Sequence, residues 1–129
     1  MVRNGDAHLK NFGVLYRSCN EKRLAPMFDV VTTSIYRDTQ YAGGPELEDR
    51  TLALRLFAGK GRTKASPPPA DLLVYGEHVC GVRDPKAFLR QIAAGMSQAL
   101  AEAGTDSRIR PALLAQMRDA WTPGMGYAA

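Results

Sequence analysis

The chain has 129 residues, of which 45% are hydrophobic, and this is enough apolar material for the core of one domain of ordinary size. Its net charge is +4, and its basic residues are scattered apart from Lys60, Arg62 and Lys64, which favours a solvated loop over a nucleic-acid interface. No apolar run approaches the roughly 20 residues that cross a bilayer, and the amino terminus is polar, so the sequence predicts a cytoplasmic protein with no membrane segment and no direct nucleic-acid binding.

The first thirty residues predict a loop followed by a β-hairpin. Residues 4–10 are polar, and residues 12–16 then have the composition of a short strand. Residues 18–22 are turn formers, and residues 23–26 resume an extended segment. Pro26 would lie at a strand end, where the missing N–H is tolerated.

The middle of the chain predicts irregular structure. Residues 37–51 are polar and rich in turn formers, which predicts a loop, and residues 52–57 form a short apolar segment that is either strand or extended. Residues 59–70 contain two glycines and three consecutive prolines, which predicts a surface connection. The glycines and basic residues at 59–62 lack the spacing of a phosphate-binding loop and predict a flexible loop instead.

Residues 71–122 predict a helical part that begins with a helix over residues 71–80. A second helix is expected to begin after Asp84, which is a good N-cap residue, and to end at Gly104. A third is expected over about 108–121. Apolar residues recur on one face of the last two helices, which predicts packing faces: Phe88, Leu89, Ile92, Met96, Ala99, Leu100 and Ala103, then Ile109, Leu113, Met117 and Trp121.

Thr122-Pro123-Gly124 is a strong stop signal for the third helix, and residues 125–129 are expected to be frayed.

Cys19 and Cys80 lie far apart and outside any metal-binding motif, which excludes a structural zinc site of about four clustered ligands. A disulfide between them is disfavoured without an export signal.

The segment Asn-Gly-Asp-Ala-His-Leu-Lys-Asn-Phe at residues 4–12 carries the chemistry. Asp6 precedes Asn11 by five residues, as in kinase catalytic loops, where the Asp faces the proton of the attacking hydroxyl and the Asn holds magnesium. A second magnesium ligand is expected from a carboxylate just past a hairpin. Asp29 occupies that place, although no glycine follows it as in Asp-Phe-Gly.

Residues 3–31 as a whole resemble the HipA family of bacterial serine/threonine protein kinases, the toxins of type II toxin–antitoxin pairs. In that family an Asp-x-His-x-Lys-Asn-Phe loop precedes a Leu-x-Pro-x-Tyr/Phe-Asp segment, which here reads Leu-Ala-Pro-Met-Phe-Asp. The resemblance implies that residues 1–129 are part of the C-terminal lobe of a protein-kinase-like fold, mainly α with a small β-hairpin. Residues 1–36 would hold the catalytic loop, the hairpin and the metal-binding Asp.

The resemblance also implies roles for five residues. Asp6 would be the catalytic base, and Asn11 and Asp29 would hold Mg²⁺ and, through it, ATP. His8 and Lys10 would help to neutralise the transferring phosphate, but each has a second interpretation. For His8 we favour a hydrogen-bonding brace of the loop, and for Lys10 partial exposure is an equal alternative.

The resemblance implies partners for the complete protein, and it leaves two alternatives open. The substrate would be a serine or threonine of a protein, with aminoacyl-tRNA synthetases as the class, and a DNA-binding antitoxin of the HipB type would bind the toxin. One alternative is a phosphoinositide or small-molecule kinase, because the Asp-x-His-x-x-Asn core is similar to the loop of lipid kinases. The other is a degenerate, non-catalytic lobe that binds the antitoxin or another partner.

The sequence contains no glycine-rich loop followed by a strand lysine, the elements that hold the ATP phosphates in a kinase. We therefore expect the isolated chain to be a C-terminal-lobe fragment with weak nucleotide affinity and no meaningful turnover. Apolar surface left without a packing partner would favour self-association.

Overall fold

A computed structural model describes residues 1–39, 41–48, 51–58 and 64–129. Within them, two short antiparallel hairpins precede three α-helices, so the prediction of a mainly helical chain with a small hairpin is confirmed at that level. The strands are β1 (Val14–Tyr16), β2 (Lys22–Leu24), β3 (Arg37–Thr39) and β4 (Glu46–Glu48). The helices are α1 (Pro69–His78), α2 (Pro85–Ala103) and α3 (Pro111–Met125), and short 3-10 turns occur at Leu9–Asn11, Thr33–Ile35 and Gly126–Ala128.

The first hairpin forms where the sequence predicts it. β1 and β2 pair with Val14 opposite Leu24, and the Ala25 N–H donates to the Gly13 carbonyl at 2.8 Å just beyond the strands. The strands are shorter than the predicted extended segments. The hairpin folds the chain back, so that the segment after β2 returns to the loop before β1.

A second hairpin lies inside residues 37–51, where the prediction of a loop is wrong. β3 and β4 pair with Arg37 opposite Glu48, and Gly43 supplies the left-handed conformation of the turn between them, with φ of +77°. The strands are three residues long and mostly polar. Without an alternation of apolar and polar residues, they give no strand signal in the sequence.

The segment that leads to the helices is irregular, with bends inside residues 52–57, where the sequence predicts a strand or an extended segment. Thr51 forms an isolated antiparallel bridge with Ala65, and the Leu52 N–H donates to the Lys64 carbonyl at 2.6 Å. Residues 59–63, including the predicted flexible loop and the basic residues Lys60 and Arg62, lie outside the described residues. α1 already begins at Pro69, inside the predicted connection, because proline is well suited to the first turn of a helix.

α2 has the boundaries that its local signals predict. The Asp84 side chain caps the helix, since its Oδ1 accepts a hydrogen bond from the Ala87 N–H at 2.7 Å, and Gly104 follows the last helical residue. In the connection to α3, the Arg108 guanidinium donates to the Asp106 carboxylate at 2.6 Å. This hydrogen bond holds the pKa of Asp106 below its ordinary value.

The Asp84 cap makes a direct prediction. Asp84→Ala should lower the free energy of unfolding by about 1 kcal/mol, because the Ala87 N–H loses its partner at the helix end. Asp84→Asn should stay close to the unsubstituted chain, because asparagine caps helices about as well as aspartate. Urea unfolding followed by circular dichroism measures both, and equal losses in the two variants would contradict a capping role.

The predicted stop of the third helix is wrong. α3 continues through Pro123 to Met125, and the residues expected to fray form the turn Gly126–Ala128. Tertiary contacts hold this end in place. The Tyr127 hydroxyl donates to the Pro67 carbonyl at 2.7 Å, and Gly124 lies directly against the backbone of Met1, where a side chain would not fit. Pro123 lies inside the helix and cannot donate a backbone hydrogen bond, so these tertiary contacts must offset that loss.

The core lies where α2 meets α3 and is small. The buried apolar side chains of the described residues are Met96, Leu100 and Ala120. Only part of the predicted packing face of α2 is covered, since Phe88 is 56% exposed. Many large apolar side chains around the first hairpin are also exposed: Leu9, Phe12, Val14, Leu15, Tyr16, Leu24, Met27, Phe28, Val30 and Val31.

The described residues were compared with the requirements of a membrane span and of a metal cluster. None of the helices there combines the length and the apolar character that crossing a bilayer would require. Cys19 and Cys80 are both exposed and free, and no cluster of three or more His, Cys, Asp or Glu side chains occurs in the described ranges.

Candidate functional site

Asn11 and Asp29 lie side by side, although 18 residues separate them in sequence. The Asn11 Nδ2 donates to the Asp29 Oδ2 at 3.1 Å, and the Asn11 side chain is buried in the turn Leu9–Asn11. Asp29 follows β2, so the first hairpin brings the two segments together. The structure therefore places an amide and a carboxylate side by side, and their role as metal ligands stays a prediction.

Asp29 adopts an uncommon backbone conformation. Its φ is +55°, in the left-handed region that residues other than glycine rarely occupy. The Asn4 Nδ2 donates to the Asp29 carbonyl at 3.1 Å, and the Asn11 amide holds the carboxylate. The carbonyl and the carboxylate of Asp29 are thus each held by an asparagine side chain from the preceding loop. Conformations of this kind occur preferentially at functional sites.

Asp6 is joined to the same group through its backbone. Its carbonyl accepts a weak hydrogen bond from the Asn11 Nδ2 at 3.4 Å, and its N–H donates to the Asn4 Oδ1 at 3.0 Å. The carboxylate itself is 66% exposed and lies 4.0 Å from the His8 Nε2. The backbone of Asp6 is therefore fixed while its side chain remains accessible to an incoming group.

His8 and Lys10 have different surroundings. The His8 Nδ1 is buried and finds no hydrogen-bond partner among the described residues, while Nε2 is the nitrogen nearer to Asp6. Lys10 is exposed in the turn next to Asn11. Both side chains are thus close to the Asp6 and Asn11 segment in sequence and in space, and their roles stay predictions.

Two neighbouring threonines connect the loop to the rest of the chain, and no sequence pattern singles them out. The Thr33 Oγ1 accepts from the Gly5 N–H at 2.7 Å, and the Thr33 N–H donates to the Arg3 carbonyl at 3.1 Å. The buried Thr32 accepts from the Trp121 Nε1 of α3 at 2.7 Å. In the sequence these threonines are part of a β-branched run, which carries no sign of partners 28 and 89 residues away.

Gly5 is required by close approach. A Cβ at this position would lie 2.6 Å from the Thr51 carbonyl oxygen and 2.8 Å from the Thr33 Oγ1. A larger residue would therefore displace the loop from its support. The close contacts explain why the loop has a glycine at this position.

The group fits a magnesium ion on chemical grounds. A carboxylate oxygen and an amide oxygen are hard ligands of the kind that Mg²⁺ prefers, and the Asn11 amide can present its oxygen as well as its nitrogen. One carboxylate and one amide fill only part of a six-coordinate shell, so water and phosphate oxygens would complete it. A small cavity of about 180 Å³ adjoins Asn11, lined by apolar residues that include Phe12, Leu24 and Met27.

The model of the HipA-like C-terminal domain matches residues 1–104, and the chain therefore belongs to this family. The match covers both hairpins, the whole candidate site, α1 and α2, and it ends before α3. No curated protein and no solved structure matches the chain. The resemblance seen in residues 3–31 is thus confirmed at the level of the family.

Proposed function

We propose that this chain is the catalytic-loop and metal-binding part of a serine/threonine protein kinase that transfers the γ-phosphoryl group of ATP to a protein hydroxyl. The observation that supports the proposal best is the 3.1 Å contact between Asn11 and Asp29, which joins the two segments of the family motif. Membership of the HipA-like family, whose members are known as kinases, also supports it.

In the proposed reaction Asp6 accepts the proton of the attacking hydroxyl, or orients it. Its exposed carboxylate can be reached by an acceptor side chain, and its backbone contact with Asn11 keeps it at a fixed place relative to the metal ligands. Mg²⁺ held by Asn11 and Asp29 would neutralise charge on the transferring phosphate. Lys10, exposed on the same turn, is available to add positive charge there.

The isolated chain is proposed to bind ATP weakly. The cavity beside Asn11 has about 180 Å³, less than the roughly 300 Å³ of a small ligand pocket, and neither Asp6 nor Asp29 lines it. Efficient transfer would need a glycine-rich loop and a strand lysine from an amino-terminal lobe. The toxin–antitoxin setting, with an aminoacyl-tRNA synthetase as substrate and a HipB-type antitoxin as partner, rests on the family resemblance and is proposed for the complete protein.

Asp6→Asn tests the proposal in a form of the protein that carries an amino-terminal kinase lobe before residue 1. Removing the base should lower ATP-dependent labelling of protein acceptors by roughly 10²- to 10⁴-fold, because general base catalysis is worth about that much. Asp119→Asn, which changes an exposed Asp on α3, is the matched control and should leave labelling unchanged.

The acceptor decides between the proposal and its alternatives. Labelling of phosphoinositide vesicles in preference to proteins would favour a lipid kinase. If the form without substitutions labels neither acceptor, the non-catalytic binding module is favoured, and the exposed apolar side chains around the first hairpin would then be its natural contact surface.

A further inference from the structure

Asn4 contacts both segments of the candidate site with a single side chain. Its Oδ1 accepts a hydrogen bond from the Asp6 N–H at 3.0 Å, and its Nδ2 donates to the Asp29 carbonyl at 3.1 Å. Asp6 is two residues away in sequence and Asp29 is 25 residues away. The amide of Asn4 therefore lies between the backbone of the proposed base and the backbone of the proposed metal ligand.

We propose that Asn4 is a positioning residue, which sets the spacing of Asp6 and Asp29 and so acts on metal binding through the Asp29 backbone. The inference rests on the proposed function, because it presumes that Asn11 and Asp29 bind Mg²⁺. Asp29 has φ of +55°, and a residue in this region needs restraints from its surroundings. The hydrogen bond from Asn4 supplies one restraint on its main chain, and Asn11 restrains its side chain.

The chemistry of this position requires an amide of this length. A donor and an acceptor are both needed on one short, planar side chain, which asparagine provides. Aspartate would keep the acceptor for Asp6 and lose the donor for Asp29, and alanine would lose both. Variants of Asn4 therefore separate the two contacts.

The backbone at Asn4 does not depend on its own side chain. Its neighbours on both sides are held by Thr33, which donates its N–H to the Arg3 carbonyl and accepts from the Gly5 N–H. Substitution of Asn4 should therefore leave the loop folded. The expected effect lies at Asp29, the segment that Asn4 reaches across the hairpin.

The test measures Mn²⁺ affinity, with Mn²⁺ as a probe that prefers the same oxygen ligands as Mg²⁺. NMR titration of the purified chain follows the paramagnetic broadening of the Asn11 and Asp29 signals. Asn4→Ala should weaken Mn²⁺ binding by about tenfold, the usual loss when a residue that orients a metal ligand is removed. In the metal-free variant, the Asp29 backbone shifts should also move away from left-handed values.

For Asn4→Asp, the positioning role and simple electrostatics predict opposite changes in Mn²⁺ affinity. An added carboxylate near a cation would tighten binding by charge alone, whereas loss of the donor to Asp29 should weaken it. Asn20→Ala, which alters an exposed asparagine in the turn of the first hairpin, should have no effect.

The outcomes that would overturn the proposal are distinct. If Asn4→Ala binds Mn²⁺ as well as the unsubstituted chain while Asp29→Asn does not, Asn4 has no positioning role and the metal site stands. If Mn²⁺ binding to the unsubstituted chain is absent or insensitive to Asp29→Asn, the proposed metal site fails and the role of Asn4 fails with it. Tighter binding by Asn4→Asp, with Asn4→Ala unchanged, would show a response to charge alone.

Discussion

Asp29→Asn is expected to abolish detectable Mg²⁺ and Mn²⁺ binding by the chain. In a form that carries an amino-terminal kinase lobe, it should also lower phosphoryl transfer by roughly a thousandfold. Asp29 is the carboxylate of the proposed pair of metal ligands. Metal ions stabilise the transition states of phosphoryl transfer by several kcal/mol, and a thousandfold loss in rate corresponds to about 4 kcal/mol. The asparagine side chain keeps a nearly identical shape while it removes the negative charge.

The choice of asparagine makes the result interpretable. Asparagine is among the residues that tolerate left-handed backbone, so the φ of +55° at this position can persist. Thermal unfolding should therefore change little. Asp119→Asn, an exposed substitution of the same type on α3, is the control. If Asp29→Asn keeps the metal affinity of the unsubstituted chain, the proposed site is wrong.

Local signals account for the parts of the fold that the sequence predicts correctly. Asp84 and Pro85 define the start of α2 because the cap and the first turn involve neighbours only, as the hydrogen bond from Ala87 shows. The first hairpin was predictable because its strands are separated by a clear run of turn formers. In both cases the deciding interactions lie within a few residues.

Tertiary contacts account for the parts that were missed. Pro123 is a strong local stop, but the packing of Gly124 and the hydrogen bond of Tyr127 carry the helix past it. Similarly, β3 and β4 are polar and three residues long, so no periodicity marks them. A pattern within one segment does not report on contacts made 60 residues away.

The residues of the candidate site also fall into two groups, those that a sequence motif identifies and those that only the fold identifies. Asp6, Asn11 and Asp29 could be singled out because their residue types and order are typical of a kinase loop and of the HipA family. Asn4 and Thr33 could not, since their contribution depends on contacts to Asp29 and Gly5 across the hairpin. The motif identifies the groups for the chemistry, whereas only the fold shows what holds them.

The second large effect is expected at the junction of α3 with the site. The Trp121 Nε1 donates to the buried Thr32 Oγ1 at 2.7 Å, and Thr32 adjoins the Thr33 that supports Arg3 and Gly5. α3 lies beyond the family match, yet Ala120, beside Trp121, is one of the three buried apolar residues in the described core. The helix is therefore expected to be an integral part of the domain and not an appendage.

Trp121→Ala should lower the free energy of unfolding by about 3 kcal/mol, at the low end of the range for large aromatic residues because Trp121 is only partly buried. Trp121→Phe should cost about 1 to 2 kcal/mol, since the ring remains but the Thr32 hydroxyl loses its donor. Because Trp121 is the one tryptophan in the sequence, urea unfolding must be followed by circular dichroism.

The controls separate the hydrogen bond from general damage to the helix. Thr122→Ala changes the adjacent exposed residue and should cost at most about 0.5 kcal/mol. A cycle that combines Trp121→Phe with Thr32→Val should show a coupling of at least about 0.5 kcal/mol, as expected for residues in contact. If Trp121→Ala unfolds no more easily than Thr122→Ala, the contact of Trp121 with Thr32 does not stabilise the segment behind the site.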